Sequence, residues 1–110
     1  MVHKKKNIKL TKIIDETINI PERSGNGILK LEVSVNAAGK PIRYNLVYIN
    51  TRLCSLDNGR VLGYDNSHGY HHRHYMGREE PVHFVNYETI AKQFDFEWRA
   101  LHEKAKKHYH

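Results

Sequence analysis

An internal disulfide is closed to this chain, because its 110 residues hold a single cysteine, Cys54. A lone thiol fits a reducing cytoplasm, and Cys54 reads as a small, partly buried hydrophobe rather than a nucleophile. Long apolar runs are missing too. Nothing approaches the roughly 20 residues that cross a bilayer, and the start, MVHKKKNIKL, has no apolar stretch behind it for a secretory signal. Repeats, low-complexity tracts and linkers are absent, so residues 1–110 read as one domain with flexible basic ends at about 1–7 and 106–110. Phenylalanine is scarce, with three against seven tyrosines, which points to aromatics that keep one polar end in water.

Acid is scarce at both ends. Residues 1–12 carry five lysines and no Asp or Glu, and residues 99–110 carry four Lys/Arg and one Glu. The intervening segment holds nine Lys/Arg against eleven Asp/Glu, although the whole chain has a formal charge of +6 and a pI near 9.5. The basicity that suggests a polyanion partner is therefore mostly terminal, and histidine is the main conditional positive charge of the middle.

What is present is period. In 28–35, Leu29, Leu31, Val33 and Val35 alternate with Lys30, Glu32 and Ser34, the pattern of a half-buried strand. Residues 42–49 alternate Ile42, Tyr44, Leu46 and Tyr48, and their second half is apolar on both faces, which places them centrally in a sheet. Asp57-Asn58-Gly59 is a tight-turn signal, residues 60–65 the returning strand, and residues 81–85 (PVHFV) a further short strand. The stretch 9–20 fits either helix or strand, and strand is the assignment adopted. At the C-terminal end, Asn86 can cap a helix, and Tyr87, Ile90, Ala91, Phe94, Trp98, Leu101 and Ala105 form one apolar stripe. The fold class is α+β: an antiparallel β-sheet of about five strands packed by a C-terminal α-helix, with room for a second short helix.

The remaining feature is DNSHGYHHRHYMGR, residues 65–78, with four of the nine histidines between His68 and His74. A metal centre needs three or four converging ligands. On a strand His72 and His74 share a face while His71 points away, and on a helix His68 pairs with His72 while His74 leaves. With no cysteine and one nearby acid, Asp65, the spacing argues against a metal, and no cofactor is expected. Acid/base chemistry asks for less. Metal-free RNA cleavage needs a base for the 2′-hydroxyl, an acid for the leaving 5′-oxygen and cations for the phosphorane, and imidazole suits both proton roles. Extended, His72 and His74 project to one side about 6–7 Å apart. They are the candidate acid/base pair, with His68 auxiliary and Arg73 or Arg78 as charge stabiliser, although Arg73 points away from the pair unless a bulge re-aims it. Arg60 and Arg78 are further phosphate contacts, and Tyr70 and Tyr75 can stack on bases. A plain reading competes: a His- and Tyr-rich loop that only covers the sheet.

The string Arg60-Val61-Leu62, Tyr64-Asp65-Asn66, Gly69, His72-Arg73-His74, Gly77, Glu80-Pro81 and Phe84, followed by a helix from Tyr87, resembles the TumE-type toxins of prokaryotic toxin–antitoxin systems. The resemblance covers about residues 42–102. It implies a toxin encoded beside a helix-turn-helix antitoxin that neutralises it; a chemical mechanism is not part of what it implies. The endoribonuclease reading comes from the residues. The expected partners are RNA and that antitoxin, with a homodimer also open and no membrane. The alternatives are a non-catalytic RNA- or protein-binding module and, behind it, a zinc-binding domain.

Overall fold

Alternating side chains and tight turns organise the chain into an antiparallel meander. Its strands are Thr11–Ile20 (β1), Gly27–Val35 (β2), Pro41–Ile49 (β3), Arg60–Asp65 (β4), His72–Tyr75 (β5) and Arg78–Pro81 (β6), followed by the helix Tyr87–His108 (α1). The coordinates are a computed structural model that describes residues 9–108. The expected flexible start at 1–7 lies outside the described residues, as do 109–110, and helical backbone continues through 106–108. Each strand pairs with its sequence neighbour, in the order β1-β2-β3-β4-β5-β6. The architecture is the expected α+β one, with six strands and, among the described residues, only short 3-10 turns besides α1.

The helix covers one face. Its stripe seats Ile90, Phe94 and Leu101 on Leu29, Val33, Leu46, Leu62 and Tyr64, and each large apolar side chain buried there contributes about 1.5–3 kcal/mol. Phe94 meets the Tyr64 ring edge-on at 6.4 Å, and Trp98 lies 5.8 Å from Tyr48. The helix starts where the sequence suggests: Asn86 Oδ1 accepts from the Thr89 backbone N–H (2.8 Å) and hydroxyl (2.8 Å). Buried Asn50 fixes the far end of the sheet by donating to the carbonyls of Gly25 and Asn26, both at 3.0 Å.

The strand expected at 81–85 is displaced. Met76 (φ 49°) and Gly77 (φ 86°) form a two-residue hairpin turn with both φ positive, so β5 is answered at once by Arg78–Pro81. Turn geometry sets the register here, over the apolar pattern further along. The ambiguous 9–20 segment is strand β1, paired along its length with β2.

Candidate functional site

The register decides which side chains share the face that α1 leaves uncovered. Asp65 lies opposite His72 and Gly63 opposite His74, while Asn45 faces Asp65 and Glu79 faces His74. Because side chains alternate, Asp65, His72, His74 and Glu79 emerge together, and Tyr64, Arg73 and Tyr75 emerge on the helix side. Strand β5 thus sorts His72-Arg73-His74 onto two faces.

Asp65, His72 and His74 are buried polar groups, 6%, 2% and 8% exposed, and such groups need partners. Asp65 sits between the imidazoles: Oδ1 is 2.9 Å from His72 Nε2, and Oδ2 is 3.3 Å from His74 Nε2. The rings turn towards it and come to 4.8 Å between centroids, at 75° to each other, closer than strand rise alone would place them. Asp65 Oδ1 also accepts from the Ser67 N–H (3.1 Å) and hydroxyl (2.7 Å), an Asx-type turn at the end of β4. The next residue, Asn66, donates to Ile42 O (2.7 Å) and accepts from Tyr44 N (3.1 Å), extending the β3–β4 ladder with a side chain.

The two imidazoles differ in hydrogen bonding. His72 Nδ1 lies 3.1 Å from Tyr70 O, which can only accept, so Nδ1 carries a proton. Nε2 faces the Asp65 carboxylate, another acceptor, so both ring nitrogens of His72 meet acceptors. His74 Nε2 is buried without a hydrogen-bond partner despite its nearness to Asp65. Its Nδ1 is 3.8 Å from Asp57 Oδ2, which in turn accepts from Arg60 Nε at 2.7 Å. Burial, then Arg60 and His72, hold His74 below the ordinary imidazole pKa against the opposing pull of Asp65 and Glu79, which favours its neutral form.

The outer wall is Tyr70, 44% exposed, whose ring lies 4.6 Å from that of His72 and whose hydroxyl donates to Glu79 Oε1 at 2.7 Å. Glu79 Oε1 is also 3.5 Å from His72 Nε2. The Arg60 side chain crosses Gly63: a Cβ there would fall 3.1 Å from Arg60 Cδ, so the glycine makes room for the arginine.

Of the residues singled out in the sequence, Arg60, Tyr70, His72 and His74 come together. His68 (φ 61°) is exposed on the adjoining turn. Arg73 lies on the helix side, paired with Glu97 and Glu80, donating from Nε to Tyr64 Oη at 3.0 Å and stacked 4.5 Å over Tyr75. Arg78 is exposed at the hairpin opposite Tyr75. His71 stacks on Phe84 at 3.8 Å and meets Tyr44 Oη at 2.8 Å, away from the cluster. Sequence reasoning passed over Asp65 as a site residue, with Asp57, Ser67 and Glu79. Cross-strand pairing of β4 with β5 was the signal for Asp65.

A family model described as Toxin TumE matches residues 5–104. No curated protein and no solved structure matches the chain.

Proposed function

The chain belongs to the TumE toxin family, and from that premise we propose that this toxin is an endoribonuclease whose chemistry resides on His72, His74 and Asp65. The observation that carries the reading is two imidazoles 4.8 Å apart in opposite hydrogen-bonding situations, held by one carboxylate. His74, favoured neutral, takes the proton of the 2′-hydroxyl. His72, charged beside Asp65, gives its proton to the departing 5′-oxygen, and the two exchange roles when the cyclic phosphate opens. Arg60 shares this face and supplies the phosphate contact, exchanging Asp57 for a phosphate oxygen. Tyr70 must leave Glu79 for a phosphate to reach the imidazoles, and its freed ring then stacks on a flanking base. Arg73 supports β5 from the opposite face and acts as a positioning residue, with Tyr75 stacked against it there and Arg78 across the hairpin from Tyr75; His68, on the adjoining turn, borders the path of the RNA. The partner that restrains the toxin is an antitoxin, proposed to be of the helix-turn-helix type.

Incubating the purified chain with RNA in EDTA across pH 5–8 tests this. Cleavage is expected, and His72→Ala and His74→Ala should each reduce its rate by about 10²-fold or more. Wild-type protein that leaves RNA intact at every pH, or folded variants of both histidines that retain full rate, would refute the assignment. Burial of His72 and His74 favours one other reading, a non-catalytic RNA- or protein-binding module in which the cluster only braces the sheet. In that case the histidine changes lower stability, while RNA binding keeps its steep salt dependence.

A further inference from the structure

Three of the cluster's potential donor atoms converge: one carboxylate oxygen of Asp65 and one ring nitrogen each of His72 and His74 lie within 4.8 Å of one another. Tetrahedral zinc with bonds of about 2.1 Å spaces its ligands roughly 3.4 Å apart. The two carboxylate–imidazole separations, 2.9 Å to Oδ1 and 3.3 Å to Oδ2, lie just below that value, and no pair in the donor set is more than 4.8 Å apart, so rotation of one imidazole closes the set.

His72 and Asp65 also have the hydrogen-bonded outer partners that metal ligands use, and His74 faces a carboxylate just beyond that reach. His72 Nδ1 faces the Tyr70 carbonyl at 3.1 Å, which leaves Nε2 as the coordinating atom once its proton is lost. His74 Nδ1 faces the Asp57 carboxylate at 3.8 Å, and its Nε2 is the buried nitrogen with no hydrogen-bond partner. Asp65 is oriented by the N–H and hydroxyl of Ser67. Asp57 and Glu79 flank the cluster, Asp65 belongs to it, and the Arg60 guanidinium beside it is already paired with Asp57, a balance that suits a divalent cation. Two imidazoles and one carboxylate select late first-row ions over magnesium or calcium.

We propose that Asp65, His72 and His74 form a binding site for a zinc-class divalent ion, and that loading it switches the toxin off. The metal takes the Nε2 lone pairs of both imidazoles and displaces the His72 proton to solvent, so neither ring can carry a proton to or from RNA. The inhibitory half rests on the catalytic reading above; the binding half stands on the geometry alone.

The test uses the full chain, stripped with chelator and exchanged into chelator-free buffer. Calorimetric titration with zinc should give one saturable site per chain. Cobalt substitution should give the visible bands of a four-coordinate ion, and zinc absorption fine structure should show two imidazoles. Asp65→Asn and His74→Ala should weaken binding at least about tenfold, while His68→Ala, outside the cluster, should leave it unchanged. A wild-type chain with no saturable site overturns the proposal, as does full affinity in folded Asp65→Asn and His74→Ala. If those variants fail to fold, the wild-type metal spectrum decides: a first shell without two imidazoles overturns it.

RNA cleavage separates the two halves. Cleavage in EDTA that stops with one equivalent of zinc supports both. No cleavage under any condition refutes the catalytic reading and leaves the site standing. Cleavage that continues with zinc bound in the cluster overturns the switch. Cleavage that requires zinc overturns both the switch and the metal-free chemistry, with the site retained.

Discussion

Arg73 is the residue whose role is most sharply divided between chemistry and support, and a double-mutant cycle with Glu97 separates the two. Its guanidinium pairs with Glu97 on α1, contacts Tyr64 Oη at 3.0 Å and reaches Glu80 at 3.0 Å. Tyr64 Oη itself donates to Glu97. The Arg73 and Glu97 side chains are 17% and 22% exposed, so water screens the pair only in part, whereas Glu80 at 58% adds little. Charge-assisted hydrogen bonds contribute about 1.5–3 kcal/mol, and a surface pair under 1 kcal/mol. For this half-sheltered pair the coupling free energy should be about 1.5 kcal/mol. Arg73→Ala and Glu97→Ala should each lower the melting midpoint by roughly 6–12 °C, and the double variant should lose clearly less than the two together. Urea unfolding of the four proteins gives the coupling directly. A value within about 0.5 kcal/mol of zero refutes the clamp. Where RNA cleavage is measurable, the two single variants should lose it in parallel. An Arg73 that contacts phosphate would instead make Arg73→Ala far the worse of the two.

Acidification should destabilise the fold. Burial lowers the pKa of His74 (with Arg60 and His72 adding, Asp65 and Glu79 opposing, and Asp57 alongside), of His71 (with His72 adding, beside Tyr44) and of His102 (with Lys106 adding and Glu103 opposing). The unfolded chain takes up these protons near pH 6.5 and the folded chain only below that. Their contribution is therefore whole above about pH 7 and is lost as pH falls through 6.5; a urea midpoint that holds or rises between pH 7.5 and 5.5 contradicts this. Gly27→Ala should cost roughly 2 kcal/mol or more, because φ is +126° and the new Cβ would stand 2.8 Å from Ile49 O. Gly39→Ala, at φ +80° with open space around it, should cost only about 1 kcal/mol; thermal melts in which the two are equal remove the role assigned to the close approach.

Elements whose local pattern agreed with their tertiary role were the legible ones. The alternation of β2 and β3 and the stripe of α1 each name a single buried face, and Asn86 marks where the helix begins. Segment 9–20 was ambiguous because its isoleucines suit either period, and pairing with β2, a non-local contact, makes it β1. PVHFV misled for a related reason. Its apolar residues suggest a strand, but the paired segment is Arg78–Pro81, four exposed residues that local pattern alone would leave in a loop. Met76 gives no warning that it adopts a positive φ, since Asn, Asp or Gly usually occupies such a turn.

The site was half legible for the same reason. Strand parity puts His72 and His74 on one side from sequence alone, and it also turns Arg73 away from them. Parity says nothing about what stands across the strand. Asp65 is seven residues from His72 in the chain but directly opposite it in the sheet, and that register converts a pair of imidazoles into a carboxylate-bridged trio. Local pattern gives no sign that Asp65 stands across from β5, and along β5 alone three metal ligands never share a face. Counted across β4 and β5, two histidines and one aspartate do. Proton transfer and metal binding then compete for the same two Nε2 atoms, so one buried cluster supports both the proposed catalysis and its inhibition.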